Sequence, residues 1–414
     1  MQTQQDKTVL AMVGLPARGK SFTARKVARY LTWRGHHTRV FNVGSYRREQ
    51  LGAKKEHSFF DPDNRLAREA RRKVALDALD EAIRWLKDED GEVAVFDATN
   101  TTRARRQDLR AACEAAGVKI TFVETICEDP AIIEDNIRAT KLHLPDYEGL
   151  DGDEAARDFR MRIAHYRRIY EPLEDESVSW IKLIVFEGGG RRIVVNRVDD
   201  QPTLRAAQLL LSFQSRERTI WLARHGESTH NLEGRIGGDA PLSDDGKRFA
   251  KALGEWMKDG RGDFKVWTST LVRTRQTAEL VAADHTPWRM LDEIDAGICD
   301  GMTYAEIAER MPEVSAGRKA DKLGYRYPRG ESYLDVITRL DPLIGELERL
   351  THPLLVIGHQ AVLRTLYAYL TGHSREDTPF LQIPLHTVIE LAPSGHLPIE
   401  RRFELLADAG GGPT

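Results

Sequence analysis

Cysteine is scarce in this chain of 414 residues: there are three, Cys113, Cys127 and Cys299. An odd, unclustered set makes neither a disulfide framework nor a C-x-x-C zinc site, and it fits a reducing cytoplasm. Long apolar runs are missing too. No stretch of 18 or more apolar residues occurs, so no helical membrane span is expected. The opening Met1-Gln2-Thr3-Gln4-Gln5-Asp6 lacks the apolar core of a secretory signal. There is no surplus of positive charge: 61 Lys and Arg stand against 64 Asp and Glu, a net charge of −3. That argues against nucleic acid as the main partner. No internal repeat is visible.

What is present is enough chain for two cores. Two domains of about 200 residues are expected at this length, at 1–215 and 216–414, with a polar seam at 214–218. Hydrophobic residues at 41% and charged residues at 30% are those of a soluble globular protein. In the first half, apolar runs at 8–13, 40–43, 93–96 and 120–126 read as buried strands. Residues 64–87 carry a helical face through Leu66, Ala70, Val74, Ala78 and Ile83, and Gly35 is a plausible stop for the helix that begins after Ser21. In the second half, runs at 219–223, 265–267 and 354–357 are the strands. Strands alternating with helices predict an α/β fold in each half, with a mainly parallel sheet covered on both faces. The tail at 410–414 is expected to lack fixed structure.

Gly14-Leu15-Pro16-Ala17-Arg18-Gly19-Lys20-Ser21 stands between the first strand and the first helix. G-x-x-x-x-G-K-[ST] in that context is a phosphate loop. Its glycines let backbone N–H groups approach phosphate oxygens, and the helix N-terminus adds a favourable dipole. Lys20 is expected to reach the β- and γ-phosphates of ATP, and the Ser21 hydroxyl to ligate Mg2+. A chance glycine turn is the rival reading, and the flanking strand and helix weigh against it. Asp97 closes an apolar strand, where a carboxylate would hold the same magnesium; a helix-capping aspartate is the alternative. Arg47, Arg48, Arg71, Arg72, Arg103, Arg105, Arg106 and Arg162 would ordinarily be solvated helix faces. A phosphorylated acceptor needs several guanidinium groups, and composition does not choose among these.

The second half carries a different chemistry. Arg224-His225-Gly226-Glu227 puts a histidine beside an arginine at the end of a strand. A histidine nucleophile must be neutral and surrounded by cations that lower the charge on the attacked phosphate. A lone histidine at a strand end is more often a satisfied polar residue, so its company decides. His359 ends a second strand, and carboxyl ends of strands in open α/β sheets converge on one crevice. Arg273 follows Thr268-Ser269, before a helix expected to begin near Gln276. Glu293 is the candidate proton donor, because an alkoxide leaving group needs an acid.

The first-half segments Gly14 to Ser21, Phe41-Asn42-Val43-Gly44 with Tyr46-Arg47-Arg48, Val93 to Thr102, Pro145-Asp146-Tyr147 and Val195-Asn196-Arg197-Val198 resemble the kinase half of the bifunctional 6-phosphofructo-2-kinase/fructose-2,6-bisphosphatase family. The second half is similar to the histidine phosphatases that include phosphoglycerate mutase. Its runs Leu232 to Asp239, Tyr325-Arg326-Tyr327-Pro328 and Gly330-Glu331-Ser332-Tyr333 fit the fructose-2,6-bisphosphatase branch. The resemblance implies a P-loop kinase domain followed by a histidine phosphatase domain. It implies ATP and Mg2+ for the first and no metal or cofactor for the second. It also implies small-molecule substrates and a homodimer in the cytoplasm.

Residue by residue, the resemblance implies fructose 6-phosphate contacts at Arg47, Arg71, Thr99, Arg105, Lys141, Arg162 and Tyr166. It implies ATP contacts from Asn136 through Lys141, with Lys20 and Lys141 neutralising the transferred group. Cys127 matches a cysteine of the family's kinase site, although phosphoryl transfer has no need of a thiol and a packed core cysteine is the better physical reading. In the phosphatase half, His225 would become phosphorylated. Arg224, Asn231, Arg273 and His359 would stabilise the transition state, and Glu293 would protonate the departing oxygen. Gly237, Tyr304, Arg318, Lys322, Tyr333, Gln360 and Arg364 match contacts to the sugar and its 6-phosphate. Whether Asp97 is a base or only a metal organiser stays open. The rivals are a polynucleotide kinase–phosphatase, opposed by the net charge and the histidine motif, and a non-catalytic nucleotide-binding regulator, opposed by the presence of Lys20, Asp97, His225 and Glu293. A phosphatase half acting broadly on phosphate esters is the third.

Overall fold

The computed structural model describes residues 7–138, 144–212, 218–282, 284–394 and 397–406. Lys141, most of the expected seam and the tail at 410–414 lie outside them. Contacts divide the chain into two compact units, Met1–Phe213 and Gln214–Thr414. No helix among the described residues is long and apolar enough to cross a membrane.

The first unit is built on six strands: β1 (Thr8–Val13), β2 (Thr38–Asn42), β3 (Val93–Asp97), β4 (Lys119–Cys127), β5 (Trp180–Val185) and β6 (Arg191–Asn196). They lie in the order β2-β3-β1-β4-β5-β6. Five are parallel, and β6 runs antiparallel to β5. Strand β1 lies between β3 and β4 and every residue of it is buried, which is why it reads as an unbroken apolar run. Phe41, Leu79, Trp85, Leu86, Phe96 and Phe122 join the core cluster on one face. The long helix Arg65–Asp88 starts where Asn64 accepts the Ala67 N–H. Helix Lys20–Trp33 ends where Gly35, at φ 96°, donates to Thr32 O and His36 donates to Leu31 O, a paired C-terminal stop that needs the left-handed glycine. The second strand stops one residue earlier than its apolar run suggests. The Asn42 side chain accepts the Ser45 N–H and starts helix Val43–Leu51. Edge strand β6, with Val194 and Val195 both exposed, has no period-2 pattern and was not expected from the sequence.

The second unit holds β7 (Ile220–Arg224), β8 (Lys265–Thr268), β9 (Thr286–Pro287), β10 (Leu354–Gly358), β11 (Thr387–Ala392) and β12 (Ile399–Glu404). Their order is β12-β11-β7-β10-β8-β9. The four strands β7 to β10 are parallel, and β11 and β12 add an antiparallel hairpin at one side. Register sets up the site: Gly358 pairs with Arg224, and Ile357 with Thr268. The carboxyl ends of the three central strands are therefore level, and His225 and His359 sit one step past them. Helix Asp244–Lys258 is seated by backbone contact. A Cβ on Gly226 would lie 2.3 Å from Gly246 O, and one on Gly246 would lie 2.1 Å from Glu227 O, so neither position tolerates a side chain.

Candidate active sites

In the first unit the phosphate loop is held by its neighbours. Gly14 leaves β1 at φ 135° and donates to Thr99 O at 2.9 Å. A Cβ there would lie 2.5 Å from Thr125 O. Ala17 adopts φ 59°, unusual for a residue with a side chain, and its carbonyl accepts the Asn136 amide at 3.1 Å. Asn136 thus braces the loop. Lys20 curls back to donate to Leu15 O at 2.6 Å, and Ser21 follows in the first turn of the helix. Asp97 ends β3 directly opposite Asn42 in the β2–β3 register, and the Asn42 amide donates to its carboxylate. Cys127 lines a cavity of about 780 Å3 together with Leu15, Arg18, Ile133 and Ile163. Burial pushes its thiol up, so it is the neutral thiol at physiological pH. The nearby Arg18 guanidinium is pulled down by burial.

Three of the expected sugar-phosphate arginines, Arg47, Arg71 and Arg162, gather around one aromatic ring and one carboxylate, with Arg48 beside them. The Arg162 guanidinium lies 3.6 Å from the Phe60 ring centre, with Arg71 at 5.6 Å and Arg47 at 5.7 Å. Tyr166 adds its ring 6.0 Å from Arg71. Arg47 donates both arms to Asp146 at 2.8 and 2.6 Å, and Arg48 and Arg162 approach the same carboxylate at 3.7 and 4.0 Å. Burial lowers Arg71, and brings Arg105 down to about 10. Cations held this dry against π faces suit a dianionic ligand that restores their charge balance. Phe60 was not singled out in the sequence, and Asp146 stood there only within the matching run Pro145-Asp146-Tyr147, with no role. Phe60 sits in a one-turn helix, His57–Phe60, and Asp146 is 99 residues from its partner.

In the second unit the expected residues converge. His225 donates from Nδ1 to Gly226 O at 2.7 Å, leaving Nε2 to accept Arg273 Nε–H at 3.1 Å. That fixes the tautomer: Nε2 carries the lone pair. Burial first, then the Arg273 and Arg224 charges, holds His225 well below its ordinary value, so it is neutral at physiological pH. The His359 ring lies 5.0 Å from the His225 ring and is held neutral by burial in the same way. Its Nε2 meets Ser269 Oγ at 2.8 Å, while its buried Nδ1 has no hydrogen-bond partner among the described residues. Arg273 lies in the first turn of helix Val272–Glu279, which begins earlier than the sequence suggests. Its Nη1 donates to Gly238 O at 2.7 Å. Arg224 donates to Ile383 O, and desolvation brings it down to about 10.

Glu293 reaches the start of helix Gln360–Thr371, accepting the Ala361 N–H at 3.2 Å and its neighbour Ile294 N–H at 2.9 Å. It lies close enough to Arg224 and Arg273 to act on both electrostatically. Asn231 is oriented by Ser228: its Oδ1 accepts the N–H and hydroxyl of Ser228 in a capping box, and its amide NH2 is a separate pair of donors. Around the rim, Arg318 donates to the Tyr304 hydroxyl at 3.1 Å and Arg364 to the Tyr333 hydroxyl at 3.2 Å. Lys322 lies 5.0 Å from the Phe380 ring, and burial with Arg364 and Arg318 lowers it to about 8. Gly237 turns at φ 68° beside Asp300, and Gln360 opens the helix that carries Arg364.

Residues 1–214 match the 6-phosphofructo-2-kinase family model, and residues 220–404 match the histidine phosphatase superfamily (branch 1). A 6-phosphofructo-2-kinase/fructose-2,6-bisphosphatase of Gallus gallus is 48% identical over 387 residues, covering 93% of this chain and 82% of its own. The chain belongs to the 6-phosphofructo-2-kinase/fructose-2,6-bisphosphatase family. The enzyme of Aquarana catesbeiana is 47% identical over 95% of this chain and 83% of its own, and 6-phosphofructo-2-kinase/fructose-2,6-bisphosphatase 3 of Homo sapiens is 47% identical over 93% and 74%. Both halves of the family's double name thus have a matching unit here. The kinase family takes ATP as substrate, and the phosphate loop is its expected place.

Proposed function

We propose that this bifunctional enzyme makes fructose 2,6-bisphosphate from fructose 6-phosphate and ATP in its first unit and hydrolyses it through a phosphohistidine on His225 in its second. One observation carries the second half: Nδ1 of His225 is committed to Gly226 O, so Nε2, beside Arg273, is the nucleophilic atom. Nε2 attacks the 2-phosphate, the P–O2 bond breaks, and O2 takes a proton from Glu293. Arg224, Arg273 and His359 face the equatorial oxygens, where charge develops. Glu293, now a carboxylate, takes a proton from the water that cleaves the P–N bond. Arg318, Lys322, Arg364, Tyr304 and Tyr333 hold the sugar and its 6-phosphate, with Gly237 and Gln360. Asn231, oriented through Ser228, offers its amide N–H groups to the phosphate. This cycle uses only the chain's own side chains.

In the first unit, Arg47, Arg71, Arg105 and Arg162 with Thr99 and Tyr166 receive fructose 6-phosphate. The loop Gly14 to Ser21, braced by Asn136, receives the triphosphate. The hard oxygens of Ser21 and Asp97 suit Mg2+, which when bound supplies charge neutralisation on the phosphates. Lys20 and Lys141 balance the rest of that charge; Cys127 has no assigned step. A homodimer in the cytoplasm completes the proposal; the dimer is supported by β6, an edge strand among the described residues with Val194 and Val195 exposed. The direct test is to assay synthesis and hydrolysis on one preparation with p-nitrophenyl phosphate and 3-phosphoglycerate as competitors. Preference for fructose 2,6-bisphosphate is expected; equal turnover of all three esters would refute the substrate.

A further inference from the structure

Arg339 lies mid-way along helix Tyr333–Arg349, in a position that reads as an ordinary helix-face charge. Its guanidinium has five N–H donors, and all of them point at one segment and one carboxylate. Nε donates to Glu331 Oε1 at 2.8 Å and Nη2 to Glu331 Oε2 at 2.9 Å. Nη1 donates to Met290 O at 2.8 Å and Asp292 O at 3.0 Å. The remaining Nη2 hydrogen faces Glu293 O at 3.5 Å. Glu331 closes the ring from the other side. Its Oε2 accepts the Asp295 N–H at 3.0 Å, and its own N–H donates to Asp295 O at 2.8 Å. The peptides on both sides of Glu293 are therefore pinned by one ion pair, while the Glu293 side chain reaches across to Ala361 N–H.

We propose that Arg339, oriented by Glu331, is a positioning residue that holds Glu293 in line with the departing O2. The inference rests on Glu293 being the proton donor. A carboxyl on a short irregular segment has no regular hydrogen-bond ladder to fix it, and loss of a fraction of an ångström in alignment is costly in general acid catalysis. Arg suits the task because its planar fork meets carbonyls and a carboxylate at once; Lys, with three donors on one nitrogen, does not.

The test is single-turnover formation of the phosphohistidine by the full chain from two donors. Fructose 2,6-bisphosphate releases an alkoxide and needs the acid; p-nitrophenyl phosphate releases a stable phenolate and does not. Glu293→Gln, measured first, is expected to slow the sugar donor by about 100-fold or more and leave the aryl donor within about twofold. Equal rates for Glu293→Gln and wild type on the sugar donor would remove the proton-donor reading itself. Given that split, Arg339→Gln and Arg339→Lys are expected to slow the sugar donor by about 10- to 100-fold with the aryl donor nearly unchanged. Glu331→Gln should show the same split, smaller. Loss on both donors in all three variants makes the pair a structural strut, and full activity on the sugar donor makes it irrelevant; either result overturns the assignment.

Discussion

The two units handle the same kind of group with opposite degrees of assembly. In the phosphatase unit, on the proposed reading, the nucleophile belongs to the chain: His225 is fixed between Gly226 O and Arg273, and Glu293 is tied separately to the Ala361 N–H. In the kinase unit both reactants come from outside, and the chain offers cations held in place by aromatic rings and by one carboxylate, Asp146. The first arrangement invests in orienting a reacting atom. The second invests in keeping several desolvated guanidinium groups apart until an anion joins them. A substitution in the first should therefore act mainly on rate, and one in the second on binding and on stability.

The sharpest break of that contrast is His225→Ala. Hydrolysis should fall by about four orders of magnitude or more while synthesis stays within twofold, as paired assays on one preparation will show. Lys20→Met should do the reverse, lowering synthesis by about 10^3-fold with hydrolysis intact; equal loss of both activities would mean that the units do not act separately. Asp146→Ala leaves Arg47 as a buried, unpaired charge, so the first unit should lose about 3 kcal/mol in denaturant unfolding, with a raised KM for fructose 6-phosphate. A smaller effect separates the units by pH. Lys322, lowered to about 8, is a cation below that value and neutral above it. The KM for fructose 2,6-bisphosphate in hydrolysis should then rise as pH passes upward through 8, and Lys322→Arg, which stays charged, should flatten the rise.

Much of this was legible in the sequence because chemistry and strand ends coincide. Asp97 and Arg224 each close an apolar run, and His225 and His359 stand one step past theirs, so in each unit the parallel strands carry the chemistry to the carboxyl edge of that unit's own sheet. What was not legible lies in pairings with no local signal. Asp146 finds Arg47 across 99 residues, Asn42 meets Asp97 only through the β2–β3 register, and Arg339 looks like any helix-face arginine until its carbonyl partners are placed. Strands β5, β6, β9, β11 and β12 were not read from the sequence; in the edge strands β6 and β12 too little is buried to impose alternation. The capping box that orients Asn231 through Ser228 was likewise not read from the motif.

The most direct measurement is where phosphate goes. With label in the 2-phosphate of fructose 2,6-bisphosphate, acid-labile phosphoenzyme trapped from the wild type should map to Nε2 of His225. With γ-labelled ATP and fructose 6-phosphate, the His225→Ala protein should place all label in the sugar and none on the chain. Label on another residue from the first donor, or protein-bound label from the second, would contradict the division between a unit that reacts and a unit that positions.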